Sequence, residues 1–223
     1  MNRKKEIIQA IEKISGKYSA YEVFTDWIRC MALSISNTVT PFHDNVWQER
    51  EQAYIDTMRK YTLEERQKFC EMMVWLAETL DDGADDVLGK IFMESGMGSK
   101  AAGQFFTPYH LCVLTAELAM QNQIEEYREG KKITLSEPSC GGGAMIIASA
   151  KVLQDNGINF QDAMEVVAQD LDWKGVYMCY VQLSLLGISA TCVQGNTLCE
   201  PYDPARTERS HILRTPKKMG VLI

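Results

Sequence analysis

Positive charge is scarce in this chain: its 223 residues hold 23 Lys and Arg against 30 Asp and Glu, for a formal net charge of −7. Nonspecific affinity for nucleic acid comes mainly from lysine and arginine neutralising phosphates, so this balance excludes a protein that grips DNA by its overall field. Any contact with DNA needs a local patch or a partner. The seven cysteines, at 30, 70, 112, 140, 179, 192 and 199, form no Cys-x-x-Cys pair and lie mostly in apolar stretches. Buried, reduced thiols in a cytoplasmic protein are expected, rather than disulfides or zinc. His43, His110 and His211 have no companions at ligand spacing, so no metal site is expected. The apolar core of a signal peptide is also missing, because the charged start leads into the amphipathic Ile7-Ile-Gln-Ala-Ile-Glu-Lys13. Residues 175–199 lack formal charge, but Gln182, Ser184, Gly187, Gln194 and Asn196 interrupt them and the apolar period changes partway. A buried helix followed by a buried strand accounts for this better than a membrane span.

What is present suits a packed core: 46% of residues are hydrophobic and 9% aromatic. The first part reads as helices alone. Residues 3–15 form one, and residues 18–36 a second with Tyr21, Phe24, Ile28, Met31 and Ile35 on one face. Asp44 is placed to cap a third through about Lys60, carrying Trp47, Tyr54 and Met58 inward, and Thr62-Leu-Glu-Glu65 has the form of a capping box for a fourth. The acidic run Asp81 to Asp86 reads as a solvated turn, since it lacks the alternating ligands of a calcium loop. Gly96 to Gly103 is a small-residue loop without the spacing of a P-loop. Thr107 is expected as N-cap and Pro108 as first residue of a helix through about Met120.

From residue 133 the pattern alternates: strand 133–136, helix 142–154, strand 164–169, helix 172–186, strand 190–194. That is the grammar of an α/β fold with a parallel sheet. The chain divides into a helical N-terminal region, 1–98, and an α/β region, 99–223. In such sheets ligands bind at the carboxyl ends of the strands, so the residues just past each strand belong together. They are Glu137, Pro138, Cys140 and Gly141 to Gly143, then Asp170 and Leu171, then Gly195 and Asn196. Glycines at a strand-to-helix turn let backbone approach a ligand with no Cβ in the way. An acid after the second strand suits ribose hydroxyls. The dinucleotide fingerprint is absent, since Ile146 stands where its third glycine belongs, which disfavours a nicotinamide oxidoreductase and leaves another adenosine-containing cofactor.

Four stretches, Gly103-Gln-Phe-Phe-Thr-Pro108, Glu137-Pro-Ser-Cys-Gly-Gly-Gly143, Gln169-Asp-Leu-Asp172 with the helix after it, and Gly195-Asn-Thr-Leu198, resemble in order the cofactor motifs of N6-adenine DNA methyltransferases. The resemblance covers residues from about 85 to 200 and is nearest to the modification subunits of type I restriction–modification systems. It implies a Rossmann-like core that binds S-adenosylmethionine, preceded by an α-helical region. It further implies Phe106 and Thr107 near the methionine part of the cofactor, Glu137 near its amino group, and Pro138 and the backbone of Cys140, Gly141 and Gly143 lining it. Asp170 would hold the ribose hydroxyls, Leu171 would pack on the adenine, and Asn196 would meet its amino group.

Three departures accompany the resemblance. Asn196 stands where the family usually has Asp, and Gly142 where Thr or Ser is common. The larger one concerns catalysis: the family presents a flipped adenine to an Asn/Asp-Pro-Pro-aromatic element, and here the six prolines, at 41, 108, 138, 201, 204 and 216, include no adjacent pair. Two readings stay open. One is a DNA adenine-N6 methyltransferase that works with another subunit, as a homo- or hetero-oligomer and without a membrane. The other is a cofactor-binding or assembly module without transfer activity. Arg206, Arg209, Arg214, Lys217 and Lys218 make the tail locally basic, which reads as a solvated end or as a phosphate-contacting strip.

Overall fold

The N-terminal helices begin where the sequence supplies a side chain to receive their free N–H groups. The structure, a computed structural model, describes residues 3–97 and 107–221. Its first helices are α1 (Arg3–Ile14), α2 (Ala20–Val39), α3 (Asn45–Met58), α4 (Leu63–Asp81) and α5 (Val87–Glu94). Ser19 and Glu22 form a complete capping box on α2, Thr62 and Glu65 form one on α4, and Asp44 accepts the Trp47 N–H at 3.1 Å on α3. Phe24, Trp27 and Ile28 of α2 are buried with Ile7 and Ile11 of α1 and with Phe69, Met72 and Leu76 of α4. The buried Trp27 indole donates to the Phe69 carbonyl at 3.1 Å. α3 differs from expectation: Trp47, Tyr54 and Met58 are only half-buried, because this helix packs chiefly against α2 and leaves one side to solvent.

The second part runs α6 (Tyr109–Ala119), α7 (Gln121–Arg128), β1 (Ile133–Glu137), α8 (Ala144–Asp155), α9 (Phe160–Ala163), β2 (Met164–Asp170), α10 (Trp173–Leu185), β3 (Ser189–Gln194) and β4 (Ile212–Arg214). The result is a mixed α/β fold with one four-stranded sheet in the order β1-β2-β3-β4. β1, β2 and β3 are parallel, and β4 is antiparallel to β3. Glu137 pairs with Ala168 and Asp170 with Gln194, so Asp170 stands two residues further along the common strand direction than Glu137. α10 lies against β2 and β3 and meets α2, while α8 packs on α6. One hydrophobic core runs from Ile7 to Leu213 and takes in both parts of the chain.

Two elements correct the sequence reading. Pro108 is the N-cap of α6 and makes no side-chain cap bond; its ψ of 129° is extended, so the helix starts at Tyr109 and Thr107 lies one residue outside the cap. Asp86 is buried rather than solvated, and its carboxylate accepts the Gly89 N–H at 3.0 Å as the cap of α5. Arg50 joins the two parts of the chain. It donates to the Ser36 hydroxyl at 2.9 Å, the Arg209 carbonyl at 3.2 Å and the Ile212 carbonyl at 2.7 Å. Among the described residues no helix is long and apolar enough to cross a membrane.

Candidate functional site

The carboxyl ends of β1, β2 and β3 converge on one residue, Asp170. Asp170 Oδ2 accepts the Gly141 N–H at 2.8 Å, its Oδ1 accepts the Asp172 N–H at 2.9 Å, and its backbone carbonyl accepts the Gly195 N–H at 2.9 Å. The last residue of the middle strand thus braces the loop after β1, the start of α10 and the turn after β3. Cys140 N–H adds a bond to the Gln169 carbonyl at 2.9 Å, and Gly143 N–H closes the loop onto the Cys140 carbonyl at 2.7 Å.

Glycine is required here for local reasons. Gly141 and Gly143 have φ of +49° and +91°, the left-handed region that costs other residues about 1 kcal/mol or more. A Cβ on Gly143 would also stand 3.0 Å from Cys179 Sγ. From the other side, Gly175 lets α10 come close: a Cβ there would lie 3.2 Å from the Gly141 carbonyl oxygen and 3.4 Å from Asp170 Cγ. α8 then begins at Gly143 with no side-chain cap.

Of the residues singled out from sequence, Glu137 and Asp170 end β1 and β2, and Pro138, Cys140, Gly141, Gly143, Leu171 and Asn196 sit on the three loops that follow the strands at this end of the sheet. Glu137 is half-buried, and its Oε1 accepts the Ser139 N–H at 3.2 Å. The Pro138 carbonyl accepts the Thr197 hydroxyl at 2.7 Å, linking the first loop to the third. Leu171 is 66% exposed although its carbonyl is held by the Gln194 amide at 2.8 Å. Asn196 is exposed, and its side-chain oxygen accepts the Leu198 N–H at 3.1 Å, which shapes its own turn. The hydrogen bond to Cys179, and then burial, push the Cys140 thiol well above its ordinary pKa, so it stays protonated and is a poor nucleophile. Thr107 is exposed and lines a separate cleft of about 590 Å³, together with Asp86, Lys90, Met93 and Tyr109. Phe106 lies outside the described residues.

Sequence reasoning missed two buried amides. Gln169 is 3% exposed and ties down the loop after β3, donating to the Glu200 carbonyl at 2.9 Å and accepting the Tyr202 N–H at 3.0 Å. Gln182, fully buried in α10, reaches the glycine loop. The available signal was the same for both: an amide in an otherwise apolar stretch must find buried partners. The basic tail is largely neutralised. Arg209 meets Asp44 at 2.7 Å, Lys217 meets Asp162 at 2.9 Å, Lys218 meets Glu165, and Arg206 stands 3.5 Å from Asp203. Among the described residues no cluster of His, Cys, Asp or Glu could hold a metal ion.

A small-side-chain loop, an acid at the next strand end and a polar turn after the third stand together at the carboxyl edge of the sheet, where open α/β sheets bind their ligands. No curated protein matches the chain. The sequence model of the N-6 DNA Methylase family matches residues 83–217, a span that contains the whole sheet and all three loops, and on that match the chain belongs to the N-6 DNA methylase family.

Proposed function

We propose that the protein binds S-adenosylmethionine at the carboxyl ends of β1, β2 and β3 and acts in adenine-N6 methylation of DNA, as a modification subunit of the type I class working with a partner chain. In this reading residues 99–223 hold the cofactor on a Rossmann-like core, and the helical residues 1–98 pack against it. The observation that carries the reading is the Asp170 carboxylate beside the glycine loop. Each of its oxygens accepts one backbone N–H, and a carboxylate has about four acceptor positions, so one on each oxygen remains for a ribose hydroxyl. The residues fit the cofactor in other respects too. The loop carries no Cβ at Gly141, Gly142 or Gly143, Glu137 offers a half-buried carboxylate to an ammonium, and exposed Leu171 offers an apolar face to a purine.

The bound cofactor supplies an electrophilic methyl on a sulfonium. The chain's part is alignment: a loop braced by Asp170 and a fixed carboxylate hold one geometry for in-line transfer. Calorimetry tests the binding claim, with heat expected from S-adenosylmethionine and none from NAD; no heat from S-adenosylmethionine sinks it. Incubation with adenine-containing DNA and methyl-labelled cofactor tests the transfer claim, with label in DNA that is lost in Asp170→Ala.

A second reading, a cofactor-binding or assembly module that does not transfer the methyl by itself, is favoured by one observation: no two prolines are adjacent, so the Asn/Asp-Pro-Pro-aromatic element is missing. Cofactor heat without label in DNA selects it.

A further inference from the structure

Gln182 joins three elements through one side chain. Its Nε2 donates to the Gly142 carbonyl at 2.8 Å and to Asp86 Oδ1 at 3.0 Å, and its Oε1 accepts the Leu88 N–H at 2.9 Å. Asp86 Oδ1 also accepts the Gly89 N–H. The N-terminus of α5, the interior of α10 and the glycine loop therefore share one buried hydrogen-bond set, between residues 96 apart in sequence.

An amide with no exposure and a carboxylate with 3% are costly to bury, even with partners. A leucine or methionine at 182 would fill the volume without that cost. What an apolar side chain would not supply is a direction for the Gly142 peptide. Gly141 and Gly143 on either side are left-handed glycines, so the loop carries no side chain to restrict its own torsions. Its middle peptide is fixed from outside: the Gln182 amide aims at the Gly142 carbonyl, and Met178 bounds the same residue, its Cε standing 3.2 Å from where a Cβ would be. Asp86 takes the other hydrogen of the same amide group, which fixes the rotation of that group.

We infer that Asp86 and Gln182 are a positioning pair for the cofactor loop: Gln182 sets the orientation of the Gly142 peptide, and Asp86 holds Gln182 in the rotamer that does so. The effect on affinity rests on the cofactor reading above; the effect on the loop does not.

The test compares wild type, Gln182→Met, Asp86→Ala and Asp86→Asn, each first shown to be folded by a cooperative melt. Amide hydrogen exchange is followed by mass spectrometry on peptides covering residues 140–144 without cofactor, and S-adenosylmethionine affinity is then measured by calorimetry. Methionine keeps the length of glutamine but donates nothing, whereas asparagine at 86 keeps the accepting Oδ1. Loop exchange in Gln182→Met and Asp86→Ala is expected to rise about tenfold while that of α1 and α4 is unchanged, and affinity to fall about tenfold. Asp86→Asn is expected to stay within about twofold of wild type in both readouts, a rescue that a purely charge-based role would not give. A folded Gln182→Met whose loop exchange stays within about twofold of wild type overturns the inference, whether or not the cofactor binds. If wild type gives no heat with S-adenosylmethionine while the loop still loosens in Gln182→Met, the pair stands and the cofactor reading fails. Should Gln182→Met not fold, Gln182→Asn, one methylene shorter, is judged by the same criteria.

Discussion

Helices α4 and α8 start in opposite ways. α4 begins at Thr62, whose side chain accepts the Glu65 N–H while Glu65 returns to the Thr62 N–H at 2.7 Å, so the end is closed by its own sequence. α8 begins at the left-handed Gly143, which has no side chain to close anything. The closed start belongs to the helical part and serves stability. The open start faces the strand ends, and its geometry comes from long-range partners, Asp170 and Gln182. A helix that caps itself can tolerate change in its neighbours; one that opens onto a site depends on them.

The sharpest way to break this contrast is Gly143→Val, which puts a β-branched residue at a φ of +91° and a Cβ 3.0 Å from Cys179 Sγ. A loss of about 2–4 kcal/mol is expected in a denaturant titration, with loss of cofactor heat. A wild-type midpoint would show that the loop is not tightly specified. Next comes Asp170→Ala, which removes the acceptor of two backbone N–H groups and of the proposed ribose contacts. Charge-assisted bonds are worth about 1.5–3 kcal/mol each, so calorimetry is expected to show affinity reduced by more than about a hundredfold. At the closed start, Thr62→Ala is expected to lower stability by about 1 kcal/mol and leave cofactor affinity where it was. A change in affinity there would erase the distinction between the two starts.

The smallest effect is in the pH dependence of Asp86. Burial, and to a lesser degree the neighbouring Asp85, push its carboxyl above the ordinary aspartate range, against the pull of the Gln182 and Gly89 bonds and of Lys90. A folded pKa above the unfolded one means stability that is fully present below the unfolded value, near about 4, and is lost as pH rises through the folded value. Asparagine does not titrate. Melts of Asp86→Asn and wild type are therefore expected to converge at acid pH and separate as pH rises, with the variant the more stable; a constant gap would show that Asp86 does not titrate in this way.

Much of this architecture was legible because its causes are local. The Thr62 to Glu65 spacing predicts the capping box of α4, and alternation after residue 133 predicts each parallel strand to within one residue at either end. The clustering of Glu137, Asp170 and Asn196 follows from parallel strands alone, since their carboxyl ends must share an edge. What was illegible depends on distant partners. Asp86 reads as a solvated acid because nothing within the acidic run reveals Gln182. β4 is three residues long among basic neighbours and is a strand only because β3 offers it an edge. Thr107 looked like a cap by composition, but the extended ψ of Pro108 moves the helix start past it.

Arg50 gives the order of synthesis a consequence. Its guanidinium belongs to a helix made early, yet two of its three acceptors are the carbonyls of Arg209 and Ile212, which leave the ribosome more than a hundred residues later. Until then the helical part carries a cation without its full set of partners, so its last stage of consolidation waits on translation of the tail. In a nascent chain arrested before Ile212, α3 should be the helix most open to protease, and completing β4 should close it.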